Sequence, residues 1–131
     1  MEQDGKSQRL KYNGLELFYQ SGVYIMGSRI DLHNILCSIM EQLGYSKKSV
    51  YYQPPESLKL SYPCIVYSGN GGDTAFADNV PYIKKKRYTV TVIDENPDST
   101  IPEKIGDLPT SKYDRDYATD NLNHFVYSIY F

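Results

Sequence analysis

Tryptophan is absent from this 131-residue chain, and cysteine and histidine occur only twice each. Two cysteines, Cys37 and Cys64, cannot build a disulfide framework, and a reducing cytoplasm is the default compartment. Two histidines, His33 and His124, lie far apart, whereas a metal site needs more ligands at defined spacing. No apolar run approaches the roughly 20 residues that a membrane-spanning helix needs. The segment Met1–Leu10 is polar and lacks the apolar core of a secretory signal. Charge of either sign is in short surplus. The 14 Lys and Arg stand against 16 Asp and Glu, for a net charge of −2, which argues against a nucleic-acid binder held by bulk charge.

What the chain has in abundance is tyrosine: 14, against 4 phenylalanines. A tyrosine ring is apolar and its tip is polar, so it suits pleated, half-buried surfaces and subunit contacts. Tyr51, Tyr52, Tyr62, Tyr67, Tyr82, Tyr88, Tyr113, Tyr117, Tyr127 and Tyr130 all fall on or beside predicted strands. The length fits one domain able to hold its own core.

Residues 1–25 read as an N-terminal extension, either disordered or an upstream start, because Met26 opens a natural beginning just before a helix. Within it, Leu15-Glu16-Leu17-Phe18-Tyr19 has the character of a strand or of an arm that docks on a neighbour. The spacing of Leu32, Ile35, Leu36, Ile39, Met40 and Leu43 predicts a helix over Arg29–Leu43. Ser28 is its N-cap, Asp31 lies in its first turn and Gly44 is its stop. Strands are predicted over Ser49–Gln53, Pro63–Tyr67, Tyr82–Asp94, Ser111–Tyr117 and Leu122–Phe131. In the third, Tyr88, Val90 and Val92 share a face. The last is apolar on both faces, which marks it as central in a sheet or covered by a partner. A short helix is predicted over Ile101–Leu108, with Pro102 near its start. Ser68–Asp73, with three glycines, reads as a flexible loop. The expected class is α+β: a single antiparallel or mixed sheet of about four to five strands, with an N-terminal helix and a second short helix packed on it.

No catalytic constellation emerges. His33 and Cys37 are helix neighbours four residues apart, but a Cys–His nucleophile pair also needs an orienting group and an oxyanion site. Gly69-Asn70-Gly71-Gly72 lacks the Gly-Lys-Ser/Thr of a phosphate loop. Asp94, Glu95, Asn96 and Asp98 lack the glycine and distal glutamate of a calcium loop. The run Lys84-Lys85-Lys86-Arg87 is the strongest charge feature. It suits either a solvated strand end that discourages aggregation, or contact with an acidic partner or nucleic acid.

Several words of the sequence together resemble a known family. They are Tyr52-Gln53-Pro54-Pro55-Glu56, Tyr62-Pro63-Cys64-Ile65-Val66-Tyr67, Lys86-Arg87-Tyr88-Thr89-Val90-Thr91-Val92-Ile93-Asp94, Asn96-Pro97-Asp98-Ser99 with Ile101-Pro102, and Asp120-Asn121-Leu122-Asn123-His124. Over residues 26–131 the chain resembles the tail terminator proteins of long-tailed bacteriophages, also called tail completion or head–tail joining proteins. The resemblance implies an α+β subunit of a homohexameric ring. Such a ring sits on the last ring of the tail tube protein, stops polymerisation and offers its other face to the head connector or stopper. DNA passes through the lumen without specific binding. No catalysis, cofactor or membrane is implied, and the expected location is the tail–neck junction of the virion, assembled in the bacterial host cytoplasm. The alternatives are another neck protein, such as a head-completion or stopper protein, or a nucleic-acid-binding accessory. On this reading Gly69, Asn70, Gly71, Gly72, Asp73, Phe76 and Asn79, with Lys84, Lys85, Lys86 and Arg87, are expected at subunit or tube interfaces.

Overall fold

The computed structural model describes the backbone at residues 9–12, 15–20, 23–25, 28–77 and 80–131, and side chains at 28–71 and 86–131. Its order is β1 (Arg9–Tyr12), β2 (Leu15–Gln20), β3 (Val23–Ile25), α1 (Arg29–Gln42), a 3-10 turn at Lys47–Ser49, β4 (Val50–Tyr52), β5 (Cys64–Ala77), β6 (Val80–Asp94), α2 (Ile101–Gly106), β7 (Ser111–Thr119) and β8 (Leu122–Tyr130). The class is α+β, with one mixed sheet and two helices. The five strands after α1 form the body of the sheet, in the order β4-β5-β6-β8-β7. The three short strands before α1 join through β3, which runs parallel to β6 at Ile83 and Lys84. The run Leu15–Tyr19 falls in β2.

α1 forms where the sequence closes both of its ends locally. The Asp31 backbone N–H donates to Ser28 Oγ (3.2 Å), and the Ser28 backbone N–H donates to Asp31 Oδ2 (3.0 Å), a reciprocal capping box. At the other end Gly44 takes φ +89°. The Tyr45 N–H then reaches the Met40 carbonyl (2.8 Å), and the Gly44 N–H reaches that of Glu41 (3.0 Å). That pair of bonds is a Schellman stop, in which glycine carries the left-handed residue without steric cost. Between the caps Leu32, Leu36, Ile39 and Met40 are buried. They pack with Ile101 and Ile105 of α2 against Ile65, Tyr67, Tyr88, Val90, Val92 and Ile129 of the sheet. Truncating such a fully buried Leu or Ile to Ala costs about 2 to 5 kcal/mol.

β8 is central, as its two apolar faces predicted: it lies between β6 and β7, with Val126 and Ile129 both buried. The β7–β8 hairpin closes through Asp120 (φ +53°) and Asn121 (φ +62°), two residue types that accept the left-handed region of a type I′ turn. β4 runs parallel to β5, so the chain crosses over from Gln53 to Pro63 before entering the sheet again.

One expectation is overturned. The stretch predicted as the loop Ser68–Asp73 is strand, because β5 runs unbroken from Cys64 to Ala77 and pairs with β6 beyond the body of the sheet. The glycines serve a bulge. Gly69 faces Tyr88 and Gly72 faces Lys86, so β5 carries one extra residue there, and Gly71 takes φ +85°. A second shift, between Ala75 and Ala77, places the extra residue on the β6 side, in the stretch that contains Pro81.

Candidate functional site: the β5–β6 arm and the sheet edges

Beyond Gly69 and Tyr88, β5 and β6 run past the body as an arm, flanked on its β6 side by β3 at Ile83 and Lys84. Its eight β5 residues, Asn70–Ala77, extend roughly 25 Å at strand rise. All of the interface candidates from the sequence that the structure describes lie on this arm. Gly69, Asn70, Gly71 and Gly72 form the bulge, with Lys86 and Arg87 across from it. Asp73 is in register with Lys85, and Thr74 with Lys84. Phe76 lies within β5. Asn79 lies outside the described residues.

Arg87 is not the solvated end of a basic run. Its Nε donates to the Asn70 carbonyl (2.8 Å), while Asn70 Nδ2 donates to Thr89 Oγ1 (3.0 Å) and the Gly69 N–H donates to Gln53 Oε1 (3.1 Å). These three bonds tie the bulge to β6 and to the end of β4. Arg87 therefore anchors the root of the arm, and Lys86 beside it is exposed.

Sequence reasoning missed a second cluster, at the β4 edge. The Tyr67 hydroxyl accepts from Arg29 Nη1 (3.1 Å) and lies 2.7 Å from His33 Nδ1. A neutral His33 accepting the phenol proton gives each atom a compatible role. Burial, and then the Arg29 charge, hold the His33 pKa below its usual range, which favours that neutral form. The Tyr67 ring is buried against Tyr52 (5.0 Å between centroids) and Tyr88 (6.2 Å), and its own pKa is raised, chiefly by burial. The Arg29 guanidinium lies 4.5 Å over the exposed Tyr52 ring and pairs with no carboxylate among the described residues. Arg29 and His33, four apart on α1, were the one local signal for this cluster.

At the opposite edge, all of β7 from Lys112 onward is exposed. Tyr117 stacks on His124 (4.6 Å, 8°), Arg115 lies 5.9 Å from the Tyr117 ring, and the Tyr113 hydroxyl donates to Asp116 (2.8 Å). That bond raises the Tyr113 pKa. A surface pocket beside them is lined by Pro97, Asp116, Tyr117, Ala118, Asn123 and Phe125.

Neither thiol sits among groups that would activate it. Cys64 is fully buried, and that burial pushes its pKa up to about 12. Burial raises the pKa of Cys37 as well, and its Sγ contacts the Lys47 carbonyl (3.5 Å). Among the described residues no three His, Cys, Asp or Glu side chains converge as metal ligands, and no helix is long and apolar enough to cross a membrane. Comparison with known families, with characterised proteins and with solved structures found no match to this chain.

Proposed function

We propose that this chain is a structural subunit of a phage virion, a tail terminator that caps the tail tube as a ring, ends its growth and offers a surface for head joining. The observation that carries the reading is the shape of the sheet. Its five-stranded body ends in two different strands, β4 on one side and β7 on the other, and an arm, β5–β6 with β3 alongside, reaches past that body. Two different end strands suit head-to-tail contacts that close by rotation, and an arm reaching past the body suits docking on a neighbouring ring. The near-neutral net charge of −2 suits a passage through which DNA slides without sticking. The ring, the tube protein and the head connector are its partners on this reading, and it performs no catalysis.

The test is capping. Purified protein is added to polymerising tail tube protein and to finished tubes, and imaged by electron microscopy. Density on tube ends together with arrested elongation is the expected result. Binding to DNA-filled heads but not to tubes would assign it to another neck position. Salt-sensitive DNA binding without either would replace the reading with that of a nucleic-acid accessory.

A further inference from the structure

The two end strands of the five-stranded body, β4 and β7, differ in charge as well as position. The β4 side carries Lys47 and Lys48 in the preceding turn, Arg29 over Tyr52 and Lys59 in the crossover that follows, against Glu56 in that crossover and Glu41 at the end of α1 beside Lys47. That crossover folds back on the strand, since the Ser61 N–H donates to the Tyr51 hydroxyl (3.3 Å). The β7 edge carries Asp114, Asp116 and, at its turn, Asp120, against Lys112 and Arg115. Arg115 already pairs with Asp114 on its own strand (2.9 Å), which leaves the acidic groups in excess.

Both edges also expose large apolar side chains. Tyr113 is 56% and Tyr117 46% exposed at β7, while Leu58 is 44% and Tyr62 41% exposed on the β4 side. Exposed tyrosines among opposite charges suit a protein interface better than a solvated rim does.

We infer that subunits join edge to edge, the acidic β7 edge of one copy seating on the basic β4 side of the next, with Arg29 the cation that meets the incoming carboxylates. This deepens the ring reading above and rests on it only for the number of copies. The contact is heterologous, because the two surfaces are different, so it joins copies head to tail, into a ring where the rotation closes, and does not stop at a two-fold dimer. Arg29 suits the role. Its guanidinium is held in place by the Tyr67 hydroxyl and the Tyr52 ring, and those contacts use only one of its five N–H donors.

The test is a pair of charge-reversed proteins. Variant one carries Asp114→Lys and Asp116→Lys, and variant two carries Lys47→Glu and Lys48→Glu. All four positions are exposed, and circular dichroism with a melting curve confirms folding before assembly is measured. Sedimentation at low salt and high protein concentration is the readout. Wild type is expected to assemble, and each variant alone to be monomeric. An equimolar mixture should assemble again, because alternating copies restore opposite charges at every contact. Assembly of variant two alone points to β7–β7 pairing and overturns the inference, as does a mixture that stays monomeric. A wild type that is monomeric up to millimolar concentration overturns it too. A wild type that assembles through these edges but fails to cap tubes leaves the inference standing and removes the terminator reading.

Discussion

Replacing Tyr67 with Phe removes one oxygen atom and leaves the ring packing in place. The hydroxyl accepts from Arg29 and bonds to His33, and it is the one group that joins α1 to β5 by polar contact at this corner. A hydrogen bond to a charged partner contributes about 1.5 to 3 kcal/mol and a neutral one about 1 kcal/mol. Both partners are only partly buried, so water recovers some of each loss. We expect a net destabilisation of about 1 to 2 kcal/mol, or roughly 3 to 8 °C in Tm for a domain of this size. The control is Tyr88→Phe. The Tyr88 ring is equally buried in the core, but its hydroxyl makes no hydrogen bond among the described residues, so this change should be close to neutral. Urea melts followed by fluorescence and circular dichroism give both values. The slope of stability against urea should stay constant, because no apolar surface is gained or lost. Equal losses from the two substitutions, or none from Tyr67→Phe, would refute the assignment of this corner to the hydroxyl's bonds.

The same corner predicts a pH dependence. His33 has a lowered pKa in the folded state, so the unfolded chain binds its proton first as pH falls through about 6.5. Stability is fully present above that value and declines below it, and His33→Gln should flatten this part of a pH–Tm series. Gly71→Ala keeps its new methyl 3.6 Å from Arg87 Nη2, an ordinary contact, so its cost is the left-handed backbone alone, about 1 to 2 kcal/mol by chemical denaturation. Cys64 should resist alkylation at pH 8 for as long as the chain is folded, with Cys37 labelled first by mass spectrometry. Arg87→Ala frees the Asn70 carbonyl at the root of the arm. Hydrogen exchange should therefore speed up at the bulge and remain slow at Val90 and Val92.

The parts of the fold that are legible in the sequence are those built by neighbours. α1 declares itself through its apolar stripe, its capping box and its glycine stop, all within a few residues of one another. The phase of Tyr88, Val90 and Val92 is equally local, and all three are buried as one face. The glycine-rich stretch is different. Ser68–Asp73 has the composition of a loop, and what makes it a bulged strand is its ladder with β6, tied at the Asn70 carbonyl by Arg87, 17 residues away. A single sequence does not show that pairing. The parallel contact of β4 with β5 is hidden for the same reason, since short strands in succession suggest hairpins. Of the candidate site, Gly69–Gly72 and Lys86–Arg87 do come together, but through a structural bond that takes Arg87 out of the basic patch. The Arg29–His33–Tyr67 corner stayed invisible because its central hydroxyl lies 34 residues from the nearer partner.

β6 is shared by everything that matters in this molecule. On one side it holds β5 along its whole length, and on the other it holds β8 and then β3. Any pull on the arm enters the body through β5, which runs on to Cys64, and along the axis of β6. Its eight residue pairs with β8, from Arg87 with Tyr130 to Asp94 with Asn123, lie across that axis. Load in this direction shears the rungs together instead of unzipping them one at a time. β6 is thus also a tension member, anchored in the best-buried part of the domain, at Val90 and Val92.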